Sequence, residues 1–372
     1  MRISIFLPNL CGGGAERLHI YLANDWIERG HTVEIILMQR HGELLHLLSP
    51  KVTVIELGVA SIRQVIFPLS KYFKQFRPDA IMSAMWPLTS ATVFAWLLSG
   101  KSGRLFLSDH NQLSVSCIRE LDISLVYLKT LMRITYPFAT SIIAVSQGVK
   151  EDLCCLGGFP EARVKVIYNP AAAGVSPHRE TQEVREQLWG GGFAHHILSV
   201  GTLKAQKDHE TLIRAFALLS PDFNAKLTIL GEGTLRGNLN GLITQLGLQS
   251  RVTMPGFVID TYPWFRTADL FVLSSQWEGF CNVIVEALEC GVPVVSTDCP
   301  SGPAEILEHG LYGKLVPIND PDALANAISI SLIEPHDRNA LMNRAKAFSV
   351  RSISDQYLSL LFPKNSSPEK AG

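Results

Sequence analysis

Apolar residues in the first half of the chain form short, continuous, β-branched runs that alternate with segments of helical periodicity. The first run, residues 3–7, is followed by a glycine turn and then by apolar residues at helical spacing up to Gly30, a residue type common at helix ends. Further runs lie at 33–38, 52–57, 80–83, 104–108 and 141–145. Continuous apolar runs separated by helices predict a parallel sheet that helices cover on both faces.

The same alternation restarts after residue 185. Strands are predicted at 196–200, 226–230, 252–254, 270–273 and 294–296, and helices at 209–219 and 234–246. Between the halves, residues 169–183 contain two prolines, a glycine and three alanines, which is typical of a linker. We therefore predict an α/β chain of two doubly wound, Rossmann-like domains that face each other across a cleft, with ligands at the carboxyl ends of the strands.

Composition and charge narrow the class of protein. The 372 residues are 47% hydrophobic and 18% charged, which suffices for two cores and excludes global disorder. The 33 basic and 34 acidic side chains argue against a general nucleic-acid binder. Residues 1–175 carry 17 basic and 13 acidic side chains, and residues 176–372 carry 16 and 21. A mildly basic first half suits a surface that faces a polar acceptor, although random scatter of charge explains the difference equally well.

The cysteines and the apolar segments indicate the cellular compartment that we expect for this protein. Seven scattered cysteines without a Cys-x-x-Cys pair indicate free, mostly buried thiols in a reducing cytoplasm, and the short apolar start is unlike a signal peptide. Residues 80–100 carry no charge and are long enough to span a membrane. Pro87 and five serines and threonines interrupt this segment, which favours a strand, a turn at Trp86-Pro87 and a helix over residues 89–98.

The most informative stretch is residues 274–288, where a buried strand is predicted to lead through a glycine-containing loop into a helix that begins near Asn282. Backbone N–H groups at such a helix start suit a diphosphate. Glu278 is expected on the loop at the mouth of the cleft. Glu286, one turn into the helix, can accept two hydrogen bonds from a vicinal diol such as a ribose. Either glutamate alone is also explained as an ordinary acidic residue.

Together these residues resemble the donor half of glycosyltransferase family 4. Glu278 and Glu286 match that family's Glu-x7-Glu signature, and the resemblance covers nearly the whole chain. Other matching segments are Gly12-Gly13-Gly14-Ala15-Glu16-Arg17, Gln206-Lys207-Asp208, Gly231-Glu232-Gly233, Gly291-Val292-Pro293 and Gly302-Pro303. The family's usual arginine is replaced by Thr202, a departure that Lys204 is placed to offset.

The resemblance implies the GT-B fold and a retaining, metal-independent hexosyltransferase. It would move a hexose or N-acetylhexosamine from a nucleotide-sugar, expected to be a UDP-sugar, to a glycan or polyprenyl-diphosphate-linked glycan in bacterial surface-polysaccharide or glycoconjugate biosynthesis. The nucleotide-sugar is a substrate, so no cofactor is implied. Residues 1–175 would bind the acceptor, with 350–372 returning to them through a final helix, and 176–349 would bind the donor.

The resemblance also assigns roles to single residues. Glu278 would face the donor sugar, Lys207 would neutralise the leaving diphosphate, and His110 would lie close to the reacting sugar; a hydrogen-bonded loop histidine is the alternative for His110. The expected donor-binding residues are Gly12, Gly13, Gly14, Lys204, Lys207, Glu232, Phe257, Gly279, Phe280, Cys281, Asn282, Val283 and Glu286.

Rival interpretations differ in specific features. A dinucleotide fingerprint would need glycine at position 17, which is Arg17, so a nicotinamide dehydrogenase is disfavoured. The single Asp-x-Asp, Asp320-Pro321-Asp322, is better explained as a helix cap than as a metal site. A non-catalytic nucleotide-sugar-binding protein stays open as the alternative function.

Residues 60–135 are predicted to form the surface that contacts the acceptor and the membrane. They hold nine basic and four acidic side chains. Apolar residues that look exposed there are Val65, Ile66, Phe67, Leu69, Tyr72 and Phe73, with Lys71, Lys74 and Arg77 close by. Such a surface suits peripheral contact with an anionic bilayer on the inner face of the plasma membrane, and a solvated helix that covers the sheet explains it equally well.

Overall fold

The structure, a computed structural model, describes residues 1–11, 13–175, 178 and 180–363. The chain divides into two compact units, residues 1–170 together with the chain from 350 onwards, and residues 171–349. Each unit contains one parallel sheet with helices packed on it.

The first unit is built on a seven-stranded sheet. Its strands are β1 Arg2–Leu7, β2 Thr32–Leu37, β3 Thr53–Glu56, β4 Ala80–Ala84, β5 Arg104–Asp109, β6 Ser141–Ala144 and β7 Val164–Val166. Their spatial order is β3-β2-β1-β4-β5-β6-β7, and every pair is parallel. The helices are α1 Gly14–Glu28, α2 Ile62–Phe76, α3 Leu88–Leu98, α4 Leu113–Arg119, α5 Leu125–Thr135 and α6 Gln147–Gly157. The order reverses between β1 and β4, where open parallel sheets bind ligands.

The second unit contains a six-stranded parallel sheet in the order β10-β9-β8-β11-β12-β13. Its strands are β8 His195–Val200, β9 Ala225–Leu230, β10 Val252–Gly256, β11 Leu270–Leu273, β12 Val294–Thr297 and β13 Lys314–Val316. Its helices are α7 Gln182–Trp189, α8 His209–Ala217, α9 Arg236–Gln245, α10 Tyr262–Thr267, α11 Asn282–Glu289, α12 Pro303–Ile306, α13 Pro321–Ile333 and α14 Arg338–Lys346.

The last helix, α15 Val350–Leu361, packs in the core of the first unit. Its Tyr357 ring lies edge-on to Trp26 of α1 with centroids 6.2 Å apart, and the Trp26 indole N–H donates to Ser354 Oγ at 2.9 Å. Ile353, Tyr357 and Leu361 recur at helical spacing and are fully buried. This stripe explains why the segment is a helix and why it docks on α1.

Most predicted elements are confirmed, because continuous apolar runs become the central strands. Residues 80–100 form β4, a turn with a cis Trp86–Pro87 bond, and α3. In the part of the chain that the structure describes, no helix is both long and apolar enough to cross a bilayer. All seven cysteines are free, and Asp320 caps α13 by accepting a hydrogen bond from the Ala323 N–H at 2.9 Å.

Two expectations about segments need correction. The predicted linker at 169–183 is too long, since α7 begins at Gln182 and Ala172 pairs with Ser349 in a parallel bridge. The apolar surface of α2 is mostly internal, because the helix turns its i, i+4, i+7 stripe inward. Of the six apolar residues that the sequence analysis named as exposed, four are buried, namely Val65, Leu69, Tyr72 and Phe73. Ile66 is partly buried, and Phe67 is 77% exposed.

Candidate active site

The loop between β11 and α11 is fixed by close backbone packing. Cys281 precedes α11 with a left-handed backbone, at φ 78°. Gly302, at φ 98°, faces this loop, and a Cβ there would lie 2.4 Å from the Phe280 carbonyl oxygen. Only glycine allows that approach, so the loops around residues 280 and 302 are held together at the carboxyl edge of the sheet.

Glu278 and Lys207 form a buried ion pair within the second unit. Lys207 Nζ lies 2.5 Å from Glu278 Oε1, and their side chains are 16% and 7% exposed. Burial is the largest single effect and would lower the pKa of Lys207, but the charge and hydrogen bond of Glu278, with Cys281 and Cys299 adding to them, together hold that pKa above its ordinary value. Glu278 lies on the loop on which the sequence analysis placed it, and its side chain is buried there with this cation as its partner.

The segment that carries Lys207 is fastened to the loop that carries Glu278. Gln206 donates through Nε2 to the Trp277 carbonyl at 2.9 Å, and its own carbonyl accepts from the Gln276 N–H at 2.8 Å. Ser274 Oγ donates to the Lys207 carbonyl at 2.8 Å. The two charged side chains are thus presented by backbones that are already bound to each other.

The other expected donor residues of this unit lie around the same edge. Gly279, Phe280 and Cys281 are buried, with the Phe280 ring 5.4 Å from that of Phe348, whereas Asn282, Val283 and Glu286 are partly exposed along α11. The resemblance implies that Phe280, Cys281, Asn282 and Val283 lend mainly backbone N–H groups to the donor, and this stays a prediction.

A second cluster follows β8, β9 and β10. Glu232 makes a two-pronged ion pair with Arg236, both contacts at 2.7 Å, and a Cβ on Gly256 would lie 2.9 Å from Glu232 Oε1. Phe257, next to Gly256, is 50% exposed. Lys204 is partly buried on the neighbouring loop. Glu232 and the 201–204 loop are brought together, since the Leu203 N–H donates to the Glu232 carbonyl at 2.9 Å, and the role of Glu232 and Phe257 near the nucleobase stays a prediction.

In the first unit, the expected residues lie after β1 and β5. Gly13 is the N-cap residue of α1 and Gly14 is its first residue, whereas Gly12 lies outside the described residues. A Cβ on Gly13 would lie 2.0 Å from Glu16 Oε2, so the glycine makes room for this carboxyl group. Burial raises the pKa of Glu16 to about 7, with a hydrogen bond to its own backbone acting against the shift and Glu43 adding to it.

His110 follows β5, and its ring contacts that of His19, a residue that the sequence analysis did not select. His110 Nε2 and Ser108 Oγ are 2.9 Å apart, and the His110 ring lies edge-on to His19 of α1 with centroids 5.3 Å apart. His19 Nδ1 donates to the Ala15 carbonyl at 2.6 Å. Burial, with His19 adding to it, holds the pKa of His110 well below its ordinary value, and burial lowers the pKa of His19 to about 4. Both rings are therefore neutral near pH 7.

Two signals could have found the missed residues. Ser275 is a polar residue two positions after the buried strand β11, in the region where open parallel sheets carry their ligand groups. Its Oγ donates to Glu278 Oε1 at 2.6 Å. His19 lies among the apolar positions of α1, so a polar group there needed an explanation. Within the described residues, no group of three or more His, Cys, Asp or Glu side chains could hold a metal ion.

Comparisons with known proteins agree with this architecture. The family model Glycosyltransferase Family 4 matches residues 12–172, and Glycosyl transferases group 1 matches residues 194–348. The chain is 30% identical to a Campylobacter jejuni enzyme named N-acetylgalactosamine-N,N'-diacetylbacillosaminyl-diphospho-undecaprenol 4-alpha-N-acetylgalactosaminyltransferase, over 97% of this chain and 99% of that one. It is 29% identical to the Rhizobium meliloti lipopolysaccharide core biosynthesis glycosyltransferase LpsE, over 95% and 96%.

Solved structures show the same fold. Anabaena HepE in complex with UDP and glucose matches with a TM-score of 0.79 at 23% identity, over 97% of this chain and 99% of that one. A sucrose-phosphate synthase from Thermosynechococcus elongatus matches with a TM-score of 0.80 at 19% identity, over 96% and 98%. The chain therefore belongs to the family 4 glycosyltransferases and has their GT-B fold.

Proposed function

We propose that this glycosyltransferase moves a hexose or N-acetylhexosamine from a UDP-sugar to a lipid-linked glycan in bacterial surface-polysaccharide or glycoconjugate biosynthesis, with retention and without a metal ion. The observation that carries the proposal is the buried Lys207–Glu278 pair at the sheet edge of the second unit. The UDP complex of HepE supports the donor class, and the undecaprenol-linked substrate in the Campylobacter enzyme's name supports the acceptor class.

The donor chemistry follows from charge. Negative charge grows on the diphosphate as the glycosidic bond breaks, and Lys207, whose pKa is raised, supplies a fixed positive charge there. N–H groups at the start of α11 favour the same anion. Glu278 accepts hydrogen bonds from the sugar hydroxyls, and Glu286 accepts them from the ribose. Neutral His110 suits a sugar hydroxyl, which carries no charge.

For the acceptor, we propose peripheral attachment to the inner face of the plasma membrane through the region 60–135. The exposed apolar side chains lie mainly around α5, where Val126 is 73% and Tyr127 57% exposed, with Phe67 on α2. Exposed Arg133 and Lys71 add positive charge that suits anionic lipid or a diphosphate headgroup.

A substrate panel tests the function. Purified protein is incubated with UDP- and GDP-sugars and a polyprenyl-diphosphate-linked glycan, with and without excess chelator, and nucleotide release and the product's anomeric configuration are measured. We expect release with a UDP-sugar, a retained configuration and activity in chelator. Tight UDP-sugar binding without turnover would support the binding-protein alternative, and loss in chelator with rescue by manganese or magnesium would contradict metal independence.

A further inference from the structure

The Glu278 carboxylate has a second partner besides Lys207. Ser275 Oγ donates to Glu278 Oε1 at 2.6 Å, the same oxygen that Lys207 Nζ contacts at 2.5 Å. Ser275 is fully buried. One carboxylate oxygen is thus held from two directions.

The backbone of Ser275 is itself anchored. Thr297 Oγ1, at the end of β12, donates to the Ser275 carbonyl at 2.6 Å. Ser275 also lies only two residues beyond Leu273, where the buried pairing of β11 with β12 ends. The hydroxyl therefore stands at the start of the loop that carries Glu278, where the Thr297 hydrogen bond ties the backbone to β12.

The two partners differ in what a donor does to them. In the proposed function, Lys207 also faces the donor diphosphate, and an ammonium group with three N–H donors can serve both anions only by sharing them. The Ser275 hydroxyl has no such second task. It is the partner that can hold Glu278 in place while Lys207 turns toward the diphosphate.

We propose that Ser275 is a positioning residue, whose hydroxyl keeps the Glu278 carboxylate directed at the donor sugar when Lys207 engages the diphosphate. The proposal rests on the proposed roles of Glu278 and Lys207. It predicts that loss of the hydroxyl affects sugar recognition and turnover, and leaves recognition of the nucleotide nearly unchanged.

The test is Ser275→Ala, measured by calorimetric binding of UDP and of the UDP-sugar that the panel identifies, beside kcat and KM. Loss of one hydrogen bond to a charged acceptor corresponds to roughly 10- to 100-fold, so we expect kcat to fall by about that factor. UDP binding should change by less than about threefold. Ser296→Ala is the matched control, because Ser296 is equally buried at the same sheet edge and donates only to the Thr297 carbonyl at 2.9 Å.

A double-mutant cycle isolates the contact. In a Glu278→Ala background, Ser275→Ala should weaken UDP-sugar binding no further, because its partner is gone. Equal weakening of UDP and UDP-sugar, an unchanged kcat, or the same loss in both backgrounds would overturn the positioning role. Wild-type turnover by Glu278→Ala would instead refute the proposed role of Glu278. These results are distinguishable.

Discussion

At the scale of single residues, the direct contact between Lys207 and Glu278 is the feature that separates this site from a set of independent ligand contacts. A buried carboxylate that loses its cation is destabilised, so each substitution in the pair acts on its partner as well. Effects on turnover must therefore be compared with effects on folding before a role is assigned.

Lys207→Ala is expected to reduce kcat/KM more than Lys204→Ala, with roughly 2–4 kcal/mol of transition-state stabilisation at stake for a preorganised group facing developing charge. Steady-state kinetics of both variants, beside their unfolding free energies, measure this. Because Lys207→Ala also leaves Glu278 buried without its cation, its unfolding free energy should fall. An equal or larger kinetic effect at Lys204 would place the phosphate clamp on the residue that offsets the missing arginine at Thr202.

The two glutamates should respond in different ways. Glu286→Ala is expected to weaken binding of UDP itself, since Glu286 lies on α11 where the ribose is expected. Glu278→Ala should depress turnover and leave UDP binding comparatively intact, the behaviour of a contact that strengthens in the transition state. Calorimetry with UDP and UDP-sugar beside turnover separates them. The reverse pattern would mean that the assigned roles are exchanged.

Burial of His19 predicts a pH dependence of stability. Its pKa is about 4 in the folded chain against 6.5 as its ordinary value. Between pH 4 and 6.5 the unfolded chain therefore binds more protons than the folded chain. The contribution of neutral His19 to the free energy of unfolding is present above pH 6.5 and is lost as pH falls through 4. The full difference amounts to about 3 kcal/mol. The measurement is the free energy of unfolding between pH 4 and 7. The part of its increase with pH that comes from His19 should be lost equally in His19→Gln and His19→Phe. An unchanged pH dependence in both variants would contradict the prediction.

At the scale of elements, apolar runs and glycine turns were sufficient to predict the central strands and the start of α11. They failed at β7 and β13, each of three residues, because so short a run carries no periodicity. They also failed on α2, where composition alone could not tell which face is covered. The Lys207–Glu278 contact joins residues 71 positions apart in sequence, so only the tertiary pairing of β8 with β11 could reveal it.

The exposed face of α5 leads to a prediction about membrane attachment. Substituting Val126 and Tyr127 by serine should weaken co-sedimentation with anionic liposomes, because these exposed apolar groups can enter the bilayer without unfolding the helix. Substitutions at buried positions of α2 should weaken co-sedimentation less. Neutralising Lys71, Lys74 and Arg77 should weaken binding chiefly at low salt. Binding that is absent, or that depends on neither set, would count against this surface.

At the scale of the whole molecule, the chain leaves the first unit after residue 170 and re-enters it at residue 350. The first unit is thus completed by a helix that lies more than 300 positions from its partner in sequence, as the Trp26–Ser354 hydrogen bond spans 328 positions. The second unit, in contrast, is continuous in sequence. Removal of α15 should therefore act on one unit and spare the other.

A chain that ends at Ser349 tests this division. It would lose three fully buried side chains, Ile353, Tyr357 and Leu361, and expose their contacts on α1, including Trp26. Burial of each large apolar side chain contributes about 2 kcal/mol, so the first unit should lose roughly 6 kcal/mol and unfold at a lower denaturant concentration. UDP binding should persist with reduced affinity, since the Lys207–Glu278 pair and α11 lie in residues 171–349 and only the contacts expected from Gly12, Gly13 and Gly14 belong to the first unit. A chain ending at Pro363, which keeps the whole of α15, is the control. Unfolding is monitored by tryptophan fluorescence, and UDP binding is measured by calorimetry. If UDP binding and the unfolding transition of the first unit are lost together, the two units depend on each other for folding.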